Sequence, residues 1–431
     1  MTRRRSALLC AGIAASLALT ACAANNPSGG GNGDADGGSN TLEVVSWWTS
    51  GSEAEALQVL FDAVVANQDG LQVSNAAVSG GGGANAQQAL NARLQAGDPP
   101  DTWQLHPDQQ LASFVAGGQV ADISDLWAEQ GWSDIVPPDV DEVQQVDGTY
   151  YTVPVGVHRG NVLWMNPTVL ADAGVTIDES TDLDGLIDAL KTVQETGVTP
   201  ICLGDKEIFA ASQLLESVIV AEIGPDNWRA LFTGEKPFDD PDVRAAAEKY
   251  AELLEMTNAD HTALTWDEAA LQMADGACAV TLMGDWALGE IVNGGYEPGT
   301  DFTWVPFPGV EPTFIYIGDG FSIPAENIPN AEAAEEWLIT VMDPQVQLDF
   351  AAIKGSIPAV TTADTSSLSE YQQEAAADFQ STAIVSSIAH AQAAGAEYSQ
   401  TFADAVTTFN GNPNIDALLN SLTAGQSILA G

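Results

Sequence analysis

The chain has 431 residues, with 60 acidic side chains against 12 basic ones and a formal charge of −48 at neutral pH. A surface so acidic repels nucleic acid and anionic lipid headgroups, which excludes polyanions as partners and says little about a neutral ligand. The four histidines, His106, His158, His261 and His390, show no metal-ligand spacing, so no metal centre is expected.

In chain order, Arg3, Arg4 and Arg5 precede an apolar run from Ala7 to Ala21, the layout of a secretory signal over residues 1–21. That run is short for a membrane span. Leu19-Thr20-Ala21-Cys22 resembles a bacterial lipobox, which implies a diacylglycerol anchor on Cys22 after the signal is removed. Residues 22–40 carry six glycines and no large apolar side chain, so they read as a tether with a reach on the order of 25 Å. The folded body starts near Thr41, and about 390 residues suffice for two lobes.

In the body, strand-like and helix-like segments alternate. Leu42 to Ser46 is a strand. Ser52 and Glu55 form a capping box for a helix whose inward face is Leu57, Leu60, Phe61, Val64 and Val65. Val73 to Val78 is a second strand, Ala86 to Gln95 a helix and Asp101 to His106 a third strand, which together imply a parallel sheet covered by helices. The Gly80 to Gly83 run lacks the lysine of a phosphate cradle and reads as a turn. Asp147-Gly148 marks a hairpin, and the extended run Thr152 to Val155 a crossing between lobes. A second α/β lobe follows: a strand from Asn161 to Met165, a helix with Leu183, Leu186, Ile187, Leu190 and Val193 on one face, and a strand at Pro200 to Leu203. Asp240 and Pro241 open a helix that runs through Met256. Ile315 to Pro324 and Gly355 to Val360 are further crossings, and the rest from Leu368 reads mainly as helices.

Familiar catalytic signatures are missing: no G-x-S-x-G, no P-loop, no H-E-x-x-H and no dinucleotide fingerprint. What stands out is aromatic usage, with eleven tryptophans, two of them adjacent at the end of the first strand. Strand neighbours point to opposite faces, so of Trp47 and Trp48 one packs inward and the other lies open at the strand tip, where an indole can stack on the C–H face of a sugar ring. Cys202 and Cys278 each sit in a short apolar, strand-like segment, and neighbouring strands would bring them into disulfide range.

The segments VSWWTSGSE, NARLQAGDPPDTWQLH, YYTVPVGVHRGNVLW, TWDEAA, ACAVTLMGDWALGE, GDGFSIP, IKGSIPA and IVSSIAHA occur in that order over nearly the whole body. They resemble the extracellular solute-binding proteins of ABC sugar importers, most closely the glucose/galactose/mannose branch. The resemblance implies a two-lobed periplasmic-binding-protein-like α/β fold of type II, with a ligand cleft between lobes joined by three hinge segments. The expected lobes are 42–153 with 320–355, and 157–315 with 360–431. It further implies that Trp47 or Trp48 and Trp266 flank the sugar, that Glu53, Gln104, His106, Asp319, Lys354 and His390 bond its hydroxyls, and that Arg159, Asn161, Asp285 and Trp286 are secondary contacts.

The residues agree in part. Lys354 is the one lysine or arginine after Lys249, and Asp319 lies between glycines in an expected crossing. Asp285 equally fits a cap for the following helix, Glu53 part of a capping box, and His261 a surface residue. The expected protein is a monomeric, lipid-anchored binding protein that needs no cofactor and hands a monosaccharide to the importer's membrane subunits. A secreted glycoside hydrolase using Asp285 and Asp319, a disaccharide-binding protein and a sensor ectodomain are the alternatives.

Overall fold

The computed structural model describes residues 40–49 and 51–429. The expected signal segment, Cys22 and the tether up to residue 39 lie outside these residues.

Twelve strands are described: β1 (Thr41–Val45), β2 (Gln72–Asn75), β3 (Thr102–Leu105), β4 (Gln145–Val146), β5 (Thr149–Tyr150), β6 (Val153–Arg159), β7 (Val162–Met165), β8 (Thr199–Ile201), β9 (Cys278–Met283), β10 (Thr303–Pro306), β11 (Thr313–Ser322) and β12 (Ala383–Ser386). One sheet has the order β12-β11-β3-β1-β2, with β6 also paired to β11. A second sheet has the order β10-β7-β9-β8. β4 and β5 form the hairpin expected at Asp147-Gly148, and both turn residues take positive φ.

The β-α units at the start follow the periodicity except at Val65, which was expected on the inward face of the first helix and is 41% exposed. β1 lies between β2 and β3, parallel to both, and the helix Gly51–Asn67 buries Leu57, Leu60, Phe61 and Val64. That helix begins before Ser52, which is therefore inside the first turn and not its cap. Its N–H donates to Glu290 Oε2 at 3.1 Å, so the capping box is replaced by a carboxylate from far along the chain. The sheet is mixed, since β11 runs antiparallel to β3 and β6. β2 stops at Asn75, three residues short of the apolar run's end.

β11 is the spine of the larger sheet. Its first half, Thr313 to Tyr316, pairs with β12, and its last residues, Gly320 to Ser322, pair with β3. β6 follows it from Tyr316 to Phe321 with a register shift between Asp319 and Gly320. The extra residue is Val155 of β6, skipped between the pairs Asp319 with Gly156 and Gly320 with Pro154, so Asp319 is the β11 residue at the shift. Glycine is required on both sides: a Cβ at Gly318 would fall 2.1 Å from Tyr316 Oη, and one at Gly320 2.8 Å from the Val153 carbonyl.

The extended run Gly355 to Val360 meets β6 through an isolated bridge, Val157 to Ile357. Two segments differ from expectation. β12 interrupts the helices after Leu368. The helix opened by Asp240, whose side chain accepts from the Asp242 N–H, ends at Leu254.

Cys202 and Cys278 form a disulfide with Cα atoms 5.7 Å apart; Cys278 opens β9, and Cys202 directly follows β8, the strand that pairs with β9 in parallel. The bridge closes a long loop, with a sequence separation of 76. Replacing both cysteines by serine is expected to lower the unfolding free energy by about 2–4 kcal/mol, read as a lower denaturant midpoint, with the fold retained.

Candidate functional site

The carboxyl ends of β1 and β3 open on a cavity of about 310 Å³. This is where an α/β sheet presents its loops to a ligand. Trp47 and Trp48 follow β1. Trp48 is buried against Phe350 and Phe321, and Trp47 is half-buried on the cavity wall with its ring centroid 4.9 Å from that of His106. One indole is thus buried and the other half-buried, but both lie past the end of β1, with Trp47 at a bend, and both line the cavity. Trp266 starts the helix Trp266–Ala274, which has a complete capping box from Thr265 and Glu268, and Trp286 starts the helix Trp286–Asn293; both indoles line the cavity.

Glu53, His106, Asp319, Lys354 and His390 all face the same space. Lys354 ends its helix with its ammonium 2.8 Å from Glu53 Oε1, between the rings of Trp48 and Trp286 at 5.5 and 5.6 Å from their centroids. His106 Nδ1 donates to the Gly318 carbonyl at 2.9 Å when the ring is neutral, and the Gly82 backbone also bonds the ring.

Asp319 holds the cluster together. Its Oδ1 accepts from Gln104 Nε2 at 2.9 Å, and Oδ2 lies 3.3 Å from His158 Nε2. His158 Nδ1 meets Asp285 Oδ1 on the other side. Burial opposes charge on both partners, but it is outweighed. Asp285 and Asp319 raise the His158 pKa above its ordinary value despite Lys354, while His158, His106 and Lys354 hold Asp319 well below the usual carboxylate range. Burial leaves His106 and His390 shifted the other way, toward the neutral ring.

Four expected contacts are elsewhere. Gln104 is behind the wall, where its amide oxygen accepts the Trp47 N–H at 3.3 Å and its NH₂ fixes Asp319. Asn161 is buried between Thr313 and Ile315, bonding their backbone groups on β11. Arg159 pairs with Asp378 under Phe314. Asp285 is fully buried and neither lines the cavity nor caps its helix through its side chain; it accepts the Arg159 N–H at 2.9 Å and holds His158. His158 therefore lies between Asp285 and Asp319, so the two carboxylates cannot flank a glycosidic bond as a hydrolase requires. His261 is only 17% exposed, with Nδ1 3.8 Å from Asp205 Oδ2, rather than at the surface.

The sequence reading missed part of the wall. Gly80, Gly82 and Gly83 line the cavity, and a Cβ on Gly83, whose φ is +100°, would lie 2.9 Å from the Trp47 ring. The glycine run after a strand was the available signal. Lys206 and Phe209 also line it, and nothing in their local sequence marks them; Asp267, which lines it too, lies in the TWDEAA segment. Among the described residues no group of histidine, cysteine and carboxylate side chains could hold a metal, and no helix is long and apolar enough to cross a membrane.

Residues 50–348 match the family model described as bacterial extracellular solute-binding protein. The chain belongs to this family. An uncharacterized ABC transporter extracellular-binding protein of Pyrococcus horikoshii is 34% identical over 355 residues, covering 82% of this chain and 79% of that protein. A "probable sugar-binding periplasmic protein" of Brucella suis is 29% identical, covering 89% and 91%. Among solved structures, a chitin oligosaccharide binding protein superposes with a TM-score of 0.81 at 18% identity, covering 91% of this chain and 99% of that one. At that identity the likeness concerns the fold, which is the two-lobed type II arrangement. Members of the family are binding proteins.

Two outcomes follow from the geometry. In an NMR pH titration, His158 should stay protonated above the ordinary histidine midpoint and His106 and His390 should stay neutral below it. The His158 contribution to stability is complete below its unfolded pKa and is lost as pH rises through the raised folded value; that of Asp319 is complete above its unfolded pKa and is lost as pH falls through the depressed one. Gly83→Ala should displace Trp47, shifting its fluorescence, with a stability loss of at least about 1 kcal/mol from the positive φ.

Proposed function

We propose that the chain is the sugar-binding protein of an ABC importer, taking a monosaccharide such as glucose, galactose or mannose into this cavity and delivering it to the membrane subunits. The observation that carries the reading is the composition of the cavity. Indoles of Trp47, Trp266 and Trp286 supply faces for a sugar ring, while Asp319, Glu53, Lys354, His106 and His390 supply acceptors and donors for its hydroxyls. A hydroxyl both donates and accepts, and ionised partners form the stronger bonds, so a floor of fixed charges suits a polyol. At about 310 Å³ the cavity is at the small end of the roughly 300–1,000 Å³ usual for small-molecule sites, which favours one ring over a chain. The sugar-binding names of relatives support the same class.

The site residues come from both sides of the spine. Residues 42–153 and 320–355 would form one lobe and 157–315 and 360–431 the other, with β6, β11 and the stretch near Ile357 as hinges. A ligand touched by both lobes favours their closed arrangement, which is what an importer needs to distinguish loaded from empty protein. The protein would act as a monomer held to the membrane by lipid on Cys22, and it would return its sugar unchanged, requiring no cofactor.

A disaccharide is the second reading, favoured by one observation. A further hollow of about 700 Å³ lies beyond His106 and His390, which it shares with the cavity, and it carries the amides of Gln87, Gln88 and Asn91.

Isothermal titration calorimetry against glucose, galactose, mannose, maltose and cellobiose tests the proposal. Saturable one-to-one binding of a monosaccharide is expected, weakened at least about 100-fold by Asp319→Ala, which removes charge-assisted bonds and strands His158. Binding of maltose or cellobiose alone would select the second reading, and release of reducing ends from either would sink the non-enzymatic one.

A further inference from the structure

The helix Phe209–Thr233 passes behind the cavity wall carrying Glu216, a carboxylate with no exposed surface that does not line the cavity. Its two oxygens are used differently. Oε2 accepts the N–H groups of Ile388 at 2.8 Å and Ala389 at 3.1 Å and lies 3.0 Å from Ser387 Oγ, whereas Oε1 meets the Ser387 hydroxyl at 2.8 Å. Ser387 Oγ is in turn 3.0 Å from Nδ1 of His390, whose ring faces the cavity. A buried chain therefore runs from Glu216 through Ser387 to a residue on the wall.

A serine hydroxyl has one proton to give, and an ionised carboxylate can only accept. The Ser387 proton then goes to Glu216, so His390 Nδ1 can bond Ser387 Oγ only as an N–H donor. In a neutral ring the other nitrogen, Nε2, is left bare. The ring is neutral because burial, with His106, His158 and Lys354 facing it, outweighs the opposing pull of Asp319.

We propose that Glu216, acting through Ser387, fixes His390 as the Nδ1–H tautomer and so makes its Nε2 an obligate acceptor of a ligand hydroxyl. Glu216 is thus a positioning residue. Only the last link rests on reading the cavity as a sugar site; the tautomer does not.

The isosteric change Glu216→Gln reverses the chain. The amide oxygen can keep the two backbone N–H groups, while its NH₂, in place of Oε1, donates to Ser387 Oγ. Ser387 must then turn its proton to His390 Nδ1, which moves the ring proton to Nε2. Burial, offset only in part by Ser387 and the two N–H groups, raises the Glu216 pKa to about 7, and a proton on Oε1 would cause the same reversal in the wild type. The groups facing Glu216 are Ser387 and the two amides, and those facing His390 are His106, His158, Asp319 and Lys354.

The test is a long-range ¹H–¹⁵N NMR experiment on the imidazole nitrogens of the full chain without ligand at pH 8. The wild type should show His390 protonated on Nδ1 and E216Q should show it on Nε2. An unchanged tautomer in E216Q overturns the proposal. Ser387→Ala cuts the chain and leaves the carboxylate only its two backbone N–H partners; it should give a mixture of tautomers, and a single Nδ1–H form there would overturn the proposal equally. With D-glucose as the calorimetric probe, E216Q should bind about tenfold more weakly at pH 8, the cost of meeting a donor where an acceptor was needed. A switched tautomer with unchanged glucose affinity would break the link to recognition. Failure of the wild type to bind glucose would count against the proposed function, while the tautomer measurement decides this proposal without any ligand.

Discussion

A buried carboxylate must be compensated or it will take up a proton, and the site is organised around that constraint at Asp319. The side chain lies on β11 at the register shift with β6, and a Cβ at either flanking glycine would crowd Tyr316 or the Val153 carbonyl. Compensation comes from His158, whose own charge is held in place by Asp285, and from Gln104 and Lys354. Residues that do not touch the cavity thus set the charge and direction of one that does. Gln104, His158 and Asp285 contribute by fixing the charge and direction of a group they do not accompany to the surface.

Lys354 extends the same logic across the cavity. Its ammonium is nearly enclosed, paired with Glu53, and flanked by two indole faces that interact favourably with a cation. Glu53 is carried by the first turn of the helix Gly51–Asn67, and that turn is anchored by Glu290 accepting the Ser52 N–H. The helix bearing Glu290 also carries Gly289, where a Cβ would come 2.2 Å from the Ile353 carbonyl at the end of the Lys354 helix. Charge pairing and close backbone packing therefore set the distance between Glu53, Lys354 and Trp286 together.

The disulfide is separate from this machinery. It fastens β8 to β9, and β9 leads directly to Asp285 and Trp286, so it braces one wall without contributing a group to the cavity. Three histidines converge nearby with different electrostatic fates. His158, between two carboxylates, is driven toward its charged form, whereas His106 and His390, buried with less compensation, are driven toward neutral rings that can accept hydrogen bonds.

Local chemistry determined much of this protein directly. Apolar spacing located the first helix and the strands that begin both sheets, and the Asp240-Pro241 pair opened its helix as a cap and first position should. The lone Lys354 and the glycine-flanked Asp319 are each anomalous in their own neighbourhood, and the fold brings both to the cavity wall. Tertiary structure decided what depends on distant partners. Arg159, Asn161 and Asp285 occur in segments that resemble binding motifs, yet their side chains are consumed by β11, Asp378 and His158, none of which is near them in sequence. The glycine run looked like a turn until Trp47 was seen against it. Glu216 gave no signal at all, since a glutamate in an apolar helix acquires meaning only when the turn at Ser387 folds onto it. Period and propensity act over a few residues, whereas burial, and with it charge and tautomer, is fixed only when the whole chain has closed around a group.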